Sequence, residues 1–479
     1  MIGIGLDFGT TNTTVAVADG NDISYLTIDP LSDPQTVMPT ALYIRRGMDH
    51  VVGTGAIDSY LQDNAGRVVR LRKVDIGQIA MSVNATENSG MPGASEGDAV
   101  EVSVRVRGDD DADQPGRLFR GLKSYLGVRG HERFRVFDRQ FRTVALITLI
   151  LSEIRKAIDA SDEQGDAVRV HIGRPVRFVG DDDANQIAMN RMREACENAG
   201  FTEYSFYPEP VAASLSYLQD RSGEHGDNRS SGSKERLLTF DFGGGTLDLC
   251  LLENDADGFK VLATDGAPIG GNRIDQMIIQ RLVFPELGEG SRIKSAAHLA
   301  DPDTIFPFYK YGEYLLNWQM AYMMNQPDMM DALFAGIRSG EDQQRKLGRL
   351  WRIIRGNHAY SLLNASEQAK SRLAYEAQAA IDLPEIELDV RLDRATLAEI
   401  LEPMVVEING VIGSLLVTAG LDAADVDRVV CTGGSSQLLP VQARLEQLFP
   451  GRIERFDFYR SIAGGLAIAS ARGYQYHLD

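Results

Sequence analysis

The chain opens on an apolar run, Ile2 to Phe8, which carries one acidic residue, Asp7, and leads into a turn of small and hydroxyl residues before a second strand-like run. Near the middle the same shape returns: IGIGLDFGTTNTTVAVAD at the start is echoed by RLLTFDFGGGTLDLCLLE. Each copy has an apolar run, an Asp-Phe-Gly triplet, small or hydroxyl residues and a second run. Period-two runs on either side of a Gly/Thr-rich turn predict β-hairpins. The two key aspartates, Asp7 and Asp241, stand about half the chain apart. Two such hairpins predict two similar lobes, each with one hairpin at its ligand-facing edge.

The pattern between and after the hairpins alternates strand with helix. Ala167 to Ile172 reads as a strand stopped by Gly173-Arg174-Pro175. Asn185 to Ala199 reads as an amphipathic helix, with Ala188, Met192, Ala195 and Ala199 on one stripe and Gly200 as its C-cap. Val426 to Cys431 predicts a strand, Thr432 to Ser436 a glycine turn and Leu438 to Phe449 a helix. This alternation indicates an α/β protein.

Two segments read as insertions. Residues 82–117 are polar, Gly-rich and acidic around one alternating strand, Val100 to Val106; the run Asp109-Asp110-Asp111 lacks calcium-loop spacing and predicts a solvated loop. Residues 220–235 show no apolar periodicity and predict a mobile loop. Residues 290–375 are mainly helical. The methionines Met320, Met323, Met324, Met329 and Met330 are expected to pack a core. Arg345, Arg349 and Arg352 are expected to form a solvated stripe.

Composition narrows the function classes. A chain of 479 residues, at roughly 150 per domain, suggests about three domains. With 43% hydrophobic and 24% charged residues it is neither disordered nor fibrous. Its 49 Lys and Arg against 68 Asp and Glu give a net charge of −19, which argues against nucleic acid and anionic membranes as partners. A phosphate ligand must therefore be held locally, by backbone N–H groups, a metal ion or one placed lysine. Cys196, Cys250 and Cys431 are sparse and form no metal-ligand pattern, which suits a reducing compartment. Met1 to Phe8 has no basic region and no cleavage site, so it does not read as a signal peptide. The apolar stretch Val144 to Leu151 is too short to span a bilayer. The expectation is a soluble, cytoplasmic protein.

The hairpin turns suggest the chemistry. Consecutive N–H groups on one side of a tight turn bind phosphate oxygens without net positive charge. Gly9 and Gly243, Gly244 and Gly245 allow close approach, and Thr10, Thr11 and Thr246 add hydroxyl donors. Two such turns facing each other would clamp a triphosphate, and Asp7 and Asp241 would then converge on it. Mg²⁺ with its water shell relieves that repulsion.

These residues resemble a known family. Asp7 to Thr13, Asp241 to Asp248 and Thr432 to Ser436 look like the phosphate-1, phosphate-2 and adenosine motifs of the actin-like ATPase superfamily. The match is strongest to DnaK-type heat-shock chaperones. Tyr207 to Ser214 resembles their first connecting segment, Phe119 to Gly127 the stretch with their catalytic lysine, and Ser461 to Gly473 their second connecting helix. Gly270, Gly271 and Asp275, then Glu367 to Lys370, follow in the family's order. Gly173 to Val176 and the length resemble the short YegD-like chaperones, a nucleotide-binding domain without a substrate domain.

The resemblance implies a two-lobed actin-like fold: duplicated ribonuclease-H-like lobes around a cleft holding ATP or ADP with Mg²⁺, and K⁺ as a further cation. It places lobe I at 1–210, with an insertion subdomain at about 41–135, and lobe II at 211–479, with a helical subdomain at about 276–385. It implies that Lys123 contacts the γ-phosphate and the attacking water, that Glu209 positions water or metal ligands, that Asp241 orients or deprotonates the water and that Thr246 bonds the γ-phosphate. Asp7 and Asp241 would hold the metal through waters. Gly9, Thr10, Thr11, Asn12, Gly243, Gly244, Gly245, Gly271, Gly433, Gly434 and Ser435 would line the nucleotide, with Glu367 and Lys370 at the ribose. The family's adenine-stacking arginines are replaced by Ser371 and Gln437, and a helix serine by Ala374, which implies weaker adenine binding by about a kcal/mol or more. The implied activity is slow ATP hydrolysis driving a conformational switch, with an unidentified protein client or co-chaperone as partner. A sugar kinase of the same superfamily and a filament-forming ATPase are the alternatives.

Overall fold

The computed structural model describes residues 2–20, 22–84, 99–161, 169–224, 234–255, 258–293 and 304–475. Two sheets repeat one plan. In the first, strand Ile2–Phe8 has Asn12–Asp19 and Asp22–Tyr25 antiparallel on one side, and Arg169–Arg174 and Tyr204–Pro208 parallel on the other; Val37–Pro39 pairs with Asn12–Asp19. In the second, strand Glu235–Phe242 has Leu247–Asp255 and Gly258–Ala267 antiparallel on one side, and Arg428–Thr432 and Ile453–Arg455 parallel on the other. The expected two-lobed α/β architecture is therefore a duplication at the level of strand order.

The central strands are apolar because helices cover them. Ile4, Leu6, Phe8, Val15 and Val17 are buried in the first core with helix Thr143–Asp159, and Phe240, Phe242, Leu247 and Leu249 in the second with helix Arg394–Ala419. Between the sheets lie two helices, Glu209–Glu224 and Ser461–Ala471. Ala463 and Ala467 pack on Ala16 and Ala18 of the first sheet. Val211, Ala212 and Leu215 pack on Leu237, Leu252 and Val430 of the second. A pair of packed helices thus connects the cores of the two sheets.

Several expectations change. The strand predicted to end at Ile172 runs to Arg174, because each residue from Val170 to Arg174 finds a parallel partner between Tyr204 and Pro208. The acidic run is not a solvated loop. Strand Ala99–Asp111 pairs with Leu71–Asn84, and Asp109 meets Lys73 at 2.8 Å, Asp110 meets Arg117 at 2.5 Å and Asp111 meets Arg67. Residues 85–98 and 225–233 lie outside the described residues, so most of the loop expected at 220–235 does too. Met324 and Met329 are buried, whereas Met320 is exposed. The arginines are paired rather than merely solvated: Arg345 with Asp342, Arg349 with Glu286 and Arg352 with Glu387. Finally, Arg394–Ala419 is long and apolar enough by composition to cross a bilayer, unlike the shorter stretch singled out above. Its face formed by Leu397, Leu401, Met404, Ile408, Ile412 and Leu415 is buried in the second core.

Candidate functional site

The two aspartate turns close in the same way. Gly9 donates its N–H to the Asn12 carbonyl at 2.9 Å, and Gly243 donates to the Thr246 carbonyl at 3.0 Å. Both follow a strand-ending Asp-Phe pair, so Asp7 and Asp241 occupy equivalent places in their sheets. The turns then meet across the lobe boundary. A Cβ on Gly244 would lie 1.9 Å from the Thr11 hydroxyl oxygen, and one on Gly245 would lie 2.8 Å from that of Thr10. Only glycine allows the second turn this close to the first.

A cleft of about 810 Å³ opens at this meeting point. It is lined by Asp7, Gly9 to Asn12, Lys123, Glu209, Asp241, Gly243 to Thr246, Gly271, Glu367, Lys370 and Gly433 to Ser435. All residues predicted for the site thus share one crevice, sized for a nucleotide. Ser435 Oγ donates to the Gly243 carbonyl at 2.9 Å, which ties the third motif to the second turn.

Charge at the floor is unbalanced. Lys123 is 5% exposed, and its Nζ donates to Glu209 at 2.5 Å. Glu209 begins helix Glu209–Glu224, where an acid also suits the positive end of the helix dipole. Among the described residues at the floor, one lysine stands against four carboxylates, Asp7, Glu209, Asp241 and Asp248. Burial pushes Asp7 up to about 7, with Glu209 adding to the shift and Lys123 opposing it. Burial likewise pushes Asp248 up to about 7, reinforced by Glu209 and opposed by the Thr246 hydroxyl. Asp241 is held well above the ordinary range by burial, then by Asp248, Glu209 and Asp7, while the Thr432 hydroxyl donates to it at 3.0 Å.

This donor set suits a divalent cation. Glu209, Asp241 and Asp248 each offer an oxygen within 4.8 Å of the others. One carboxylate oxygen of Asp248, Oδ2, is buried without a partner. Hard oxygen ligands in surplus of positive charge fit Mg²⁺. The resemblance implies Asp7 and Asp241 at the metal; the oxygen cluster contains Asp241 but not Asp7, and adds Asp248, which strand register sets directly opposite Asp241. That register was the signal available in the sequence.

The surplus charge has a pH consequence. Between about pH 4 and pH 7 the folded protein keeps protons on Asp7 and Asp248 that the unfolded chain has lost. The unfolded state then binds fewer protons, so stability falls as pH rises through that window. The melting temperature of the cation-free protein is expected to drop between pH 5 and 7.5, by an amount that millimolar Mg²⁺ reverses. Asp248→Asn should flatten that drop. An unchanged slope in this variant would refute the assignment.

The upper cleft is bridged. Arg120 makes a two-pronged pair with Glu367 at 3.0 and 3.3 Å and donates to the Tyr360 hydroxyl at 3.2 Å. Tyr60 packs edge-on against Trp318 and Tyr360, so the insertion and the helical segment share an aromatic cluster. Lys370 donates to Asp275 at 2.7 Å and to the Gly271 carbonyl at 3.0 Å. Sequence reasoning assigns no role to Arg120, whose partner lies 247 positions away.

Comparison with known proteins bears on this site. A family model described as Hsp70 protein matches residues 133–295 and 350–469. The chain is 26% identical over 349 residues to the Chaperone protein DnaK of Thermoplasma acidophilum, covering 71% of this chain and 45% of that protein. It is 24% identical over 461 residues to that of Thermus thermophilus, covering 93% and 56%. To the Chaperone protein dnaK of Cyanidioschyzon merolae it is 25% identical over 456 residues, covering 93% and 57%. The chain spans about half the length of these curated relatives.

Proposed function

Because the chain belongs to the Hsp70 protein family, with its actin-like ATPase fold, we propose that it binds and hydrolyses ATP and works as a chaperone-like, nucleotide-driven conformational switch. The observation that carries this reading is the contact of the two aspartate turns, Gly244 against Thr11, beside a buried Lys123. Residues 1–210 serve as lobe I and 211–479 as lobe II, with the insertion subdomain at about 41–135 and the helical subdomain at about 276–385.

In this reading the triphosphate lies between the turns. The amides of Thr10, Thr11, Gly244 and Gly245 cradle its oxygens, and the Thr10, Thr11 and Thr246 hydroxyls orient it. Lys123, the one positive side chain at the floor among the described residues, would face the transferred phosphoryl group, where charge develops. Asp241 orients the attacking water and takes its proton. Glu209 holds Lys123 in place and shares the water. Asp7, Glu209, Asp241 and Asp248 would hold Mg²⁺, which when bound neutralises charge on the carboxylates and phosphates. Glu367 and Lys370 flank the ribose. Loss of the γ-phosphate removes contacts that both turns share, so open and closed lobes differ in nucleotide affinity, as a switch requires. A protein client or co-chaperone is the partner class.

The test is phosphate release from ATP, measured alone and with a panel of sugars. Mg²⁺-dependent release without any acceptor, unchanged by sugars, is the expected result. Sugar phosphate as the main product would move the chain to the kinase reading.

A further inference from the structure

Lys123 stands on a single turn that its own backbone holds only loosely. The turn is the 3₁₀ segment Leu122–Tyr125, four residues long, and it starts from Gly121 in the left-handed region, φ 68°. So short a helix leaves most of its terminal groups without partners inside it. The Ser124 and Leu126 N–H groups donate to the Gly121 and Lys123 carbonyls at 3.0 and 3.2 Å, and the Val128 N–H donates to that of Tyr125 at 3.3 Å. Leu126 and Gly127, which follow, are buried. The carbonyls leaving the turn therefore need donors from another part of the chain, because a buried carbonyl without one is costly.

Arg191 supplies them. Its Nη1 donates to the carbonyls of Leu126 at 2.8 Å, Val128 at 3.1 Å and Tyr125 at 3.3 Å. Its Nη2 donates to Glu132 Oε1 at 3.1 Å, and the same oxygen accepts the Gly130 N–H at 3.0 Å. One guanidinium thus fastens the chain that leaves the lysine's turn at several points. The side chain is 14% exposed, so water competes little for these bonds. Its platform is firm. Arg191 belongs to helix Ala184–Asn198, whose Ala188, Met192 and Ala195 are buried in the first core together with Leu122 and Leu126. The start of that helix meets the same segment again: a Cβ on Gly127 would lie 2.4 Å from the Val179 carbonyl oxygen and 3.0 Å from Ala184 Cβ. Arg191 itself stands outside the cleft lining.

We propose that Arg191 is a positioning residue for ATP hydrolysis: by clamping the carbonyls of Tyr125, Leu126 and Val128 it locks the turn that carries Lys123, and so fixes where the lysine's ammonium group stands on the cleft floor. This rests on the role given to Lys123 above and adds what holds that lysine in register. At its tip Lys123 is held by Glu209; at its base it is held through Arg191. A long side chain magnifies a small tilt of its turn, and misplacing a reacting group by about 1 Å costs up to about a hundredfold in rate. A lysine in place of Arg191 keeps the charge but not the planar fork that spans several acceptors.

The test is a double-mutant cycle on the full chain in Mg²⁺, with single-turnover ATP hydrolysis and calorimetric ATP binding as readouts. The variants are Arg191→Met, Arg191→Lys, Lys123→Ala and each Arg191 variant combined with Lys123→Ala. Arg193→Met is the control, an exposed arginine of the same helix that donates to Asn190. Arg191→Met is expected to slow turnover by about tenfold to a hundredfold while ATP affinity stays within about threefold. Arg191→Lys should fall between Arg191→Met and the wild type. In the Lys123→Ala background either change should cost less than about twofold more, because no lysine is left to place. Turnover by Arg191→Met equal to that of the control would overturn the proposal. So would an equal loss in both backgrounds, the mark of a merely structural arginine. If Arg191→Met does not fold, Arg191→Lys carries the same cycle, with a loss of about threefold or more in the wild-type background and none in the other. Lys123→Ala turning over ATP like the wild type would be a different result, removing the reading of Lys123 and this proposal with it.

Discussion

Replacing Lys123 with alanine is expected to lower ATP turnover by on the order of a hundredfold to a thousandfold, while ATP affinity changes by about tenfold or less. The size follows from what removal of one preorganised charge donor costs in comparable sites. Lys123 is enclosed, so no water-borne counterion replaces it. Burial alone would push its pKa down, but Glu209, Asp7 and Asp248 outweigh burial and hold it above the usual range, fully charged at neutral pH. The small binding effect is expected because, in the proposed reading, two turns and a hydroxyl set would hold the ground-state phosphates without it. A purely structural lysine would behave otherwise: its loss would leave Glu209 unpaired, lowering stability and binding together while turnover of bound ATP persisted. Single-turnover hydrolysis measured beside binding separates the two cases. Unchanged turnover would remove Lys123 from the chemistry.

The parts of this molecule that were legible in the sequence are those that repeat or that use local rules. The Asp-Phe-Gly turns were visible because a hairpin is encoded within about twenty residues, and helix Ala184–Asn198 because its apolar stripe and Gly200 are local too. Long-range pairing was not legible. The Arg120–Glu367 bridge, the Asp109–Asp111 ion pairs and the Tyr375–Gln437 contact depend on how distant segments are brought together, and single positions carry no record of their partners. The same limit explains the acidic run. Three aspartates in a row read as solvated because their cations, Arg67, Lys73 and Arg117, lie elsewhere in the chain. Asp248 is an intermediate case, since its distance from Asp241 is local but its meaning depends on register. His171 is a residue that neither reading uses. It is fully buried beside the Tyr207 ring, and burial, with Arg169 adding to the effect, pushes its pKa down to about 4, so it is neutral in the folded protein.

The packing of the two connecting helices supports a prediction of comparable weight. Gly465→Ala is expected to lower the melting temperature by about 5 °C or more, whereas Gly413→Ala is expected to leave it unchanged or raise it. Both glycines lie inside helices, where alanine is intrinsically better by up to about 1 kcal/mol. Their surroundings differ. A Cβ at Gly413 meets nothing within 4 Å. A Cβ at Gly465 would lie 1.7 Å from the Ala212 carbonyl oxygen and 2.4 Å from its carbon. Those are backbone atoms of helix Glu209–Glu224, which cannot rotate aside as a side chain does. The helices must separate, and neither is free to move, because Ser461–Ala471 is also fixed to the first sheet: a Cβ on Gly5 would lie 2.1 Å from the Ala463 carbonyl oxygen. The strain therefore falls on the joint between the two sheets, and overpacking of this kind typically costs about 1–3 kcal/mol or more. Because that joint sets how the two aspartate turns face each other, Gly465→Ala should also reduce ATP turnover at temperatures where it remains folded. A Gly465→Ala protein that melts and turns over ATP like the Gly413→Ala control would mean that the joint tolerates separation, and that the helix packing does not set the geometry of the cleft.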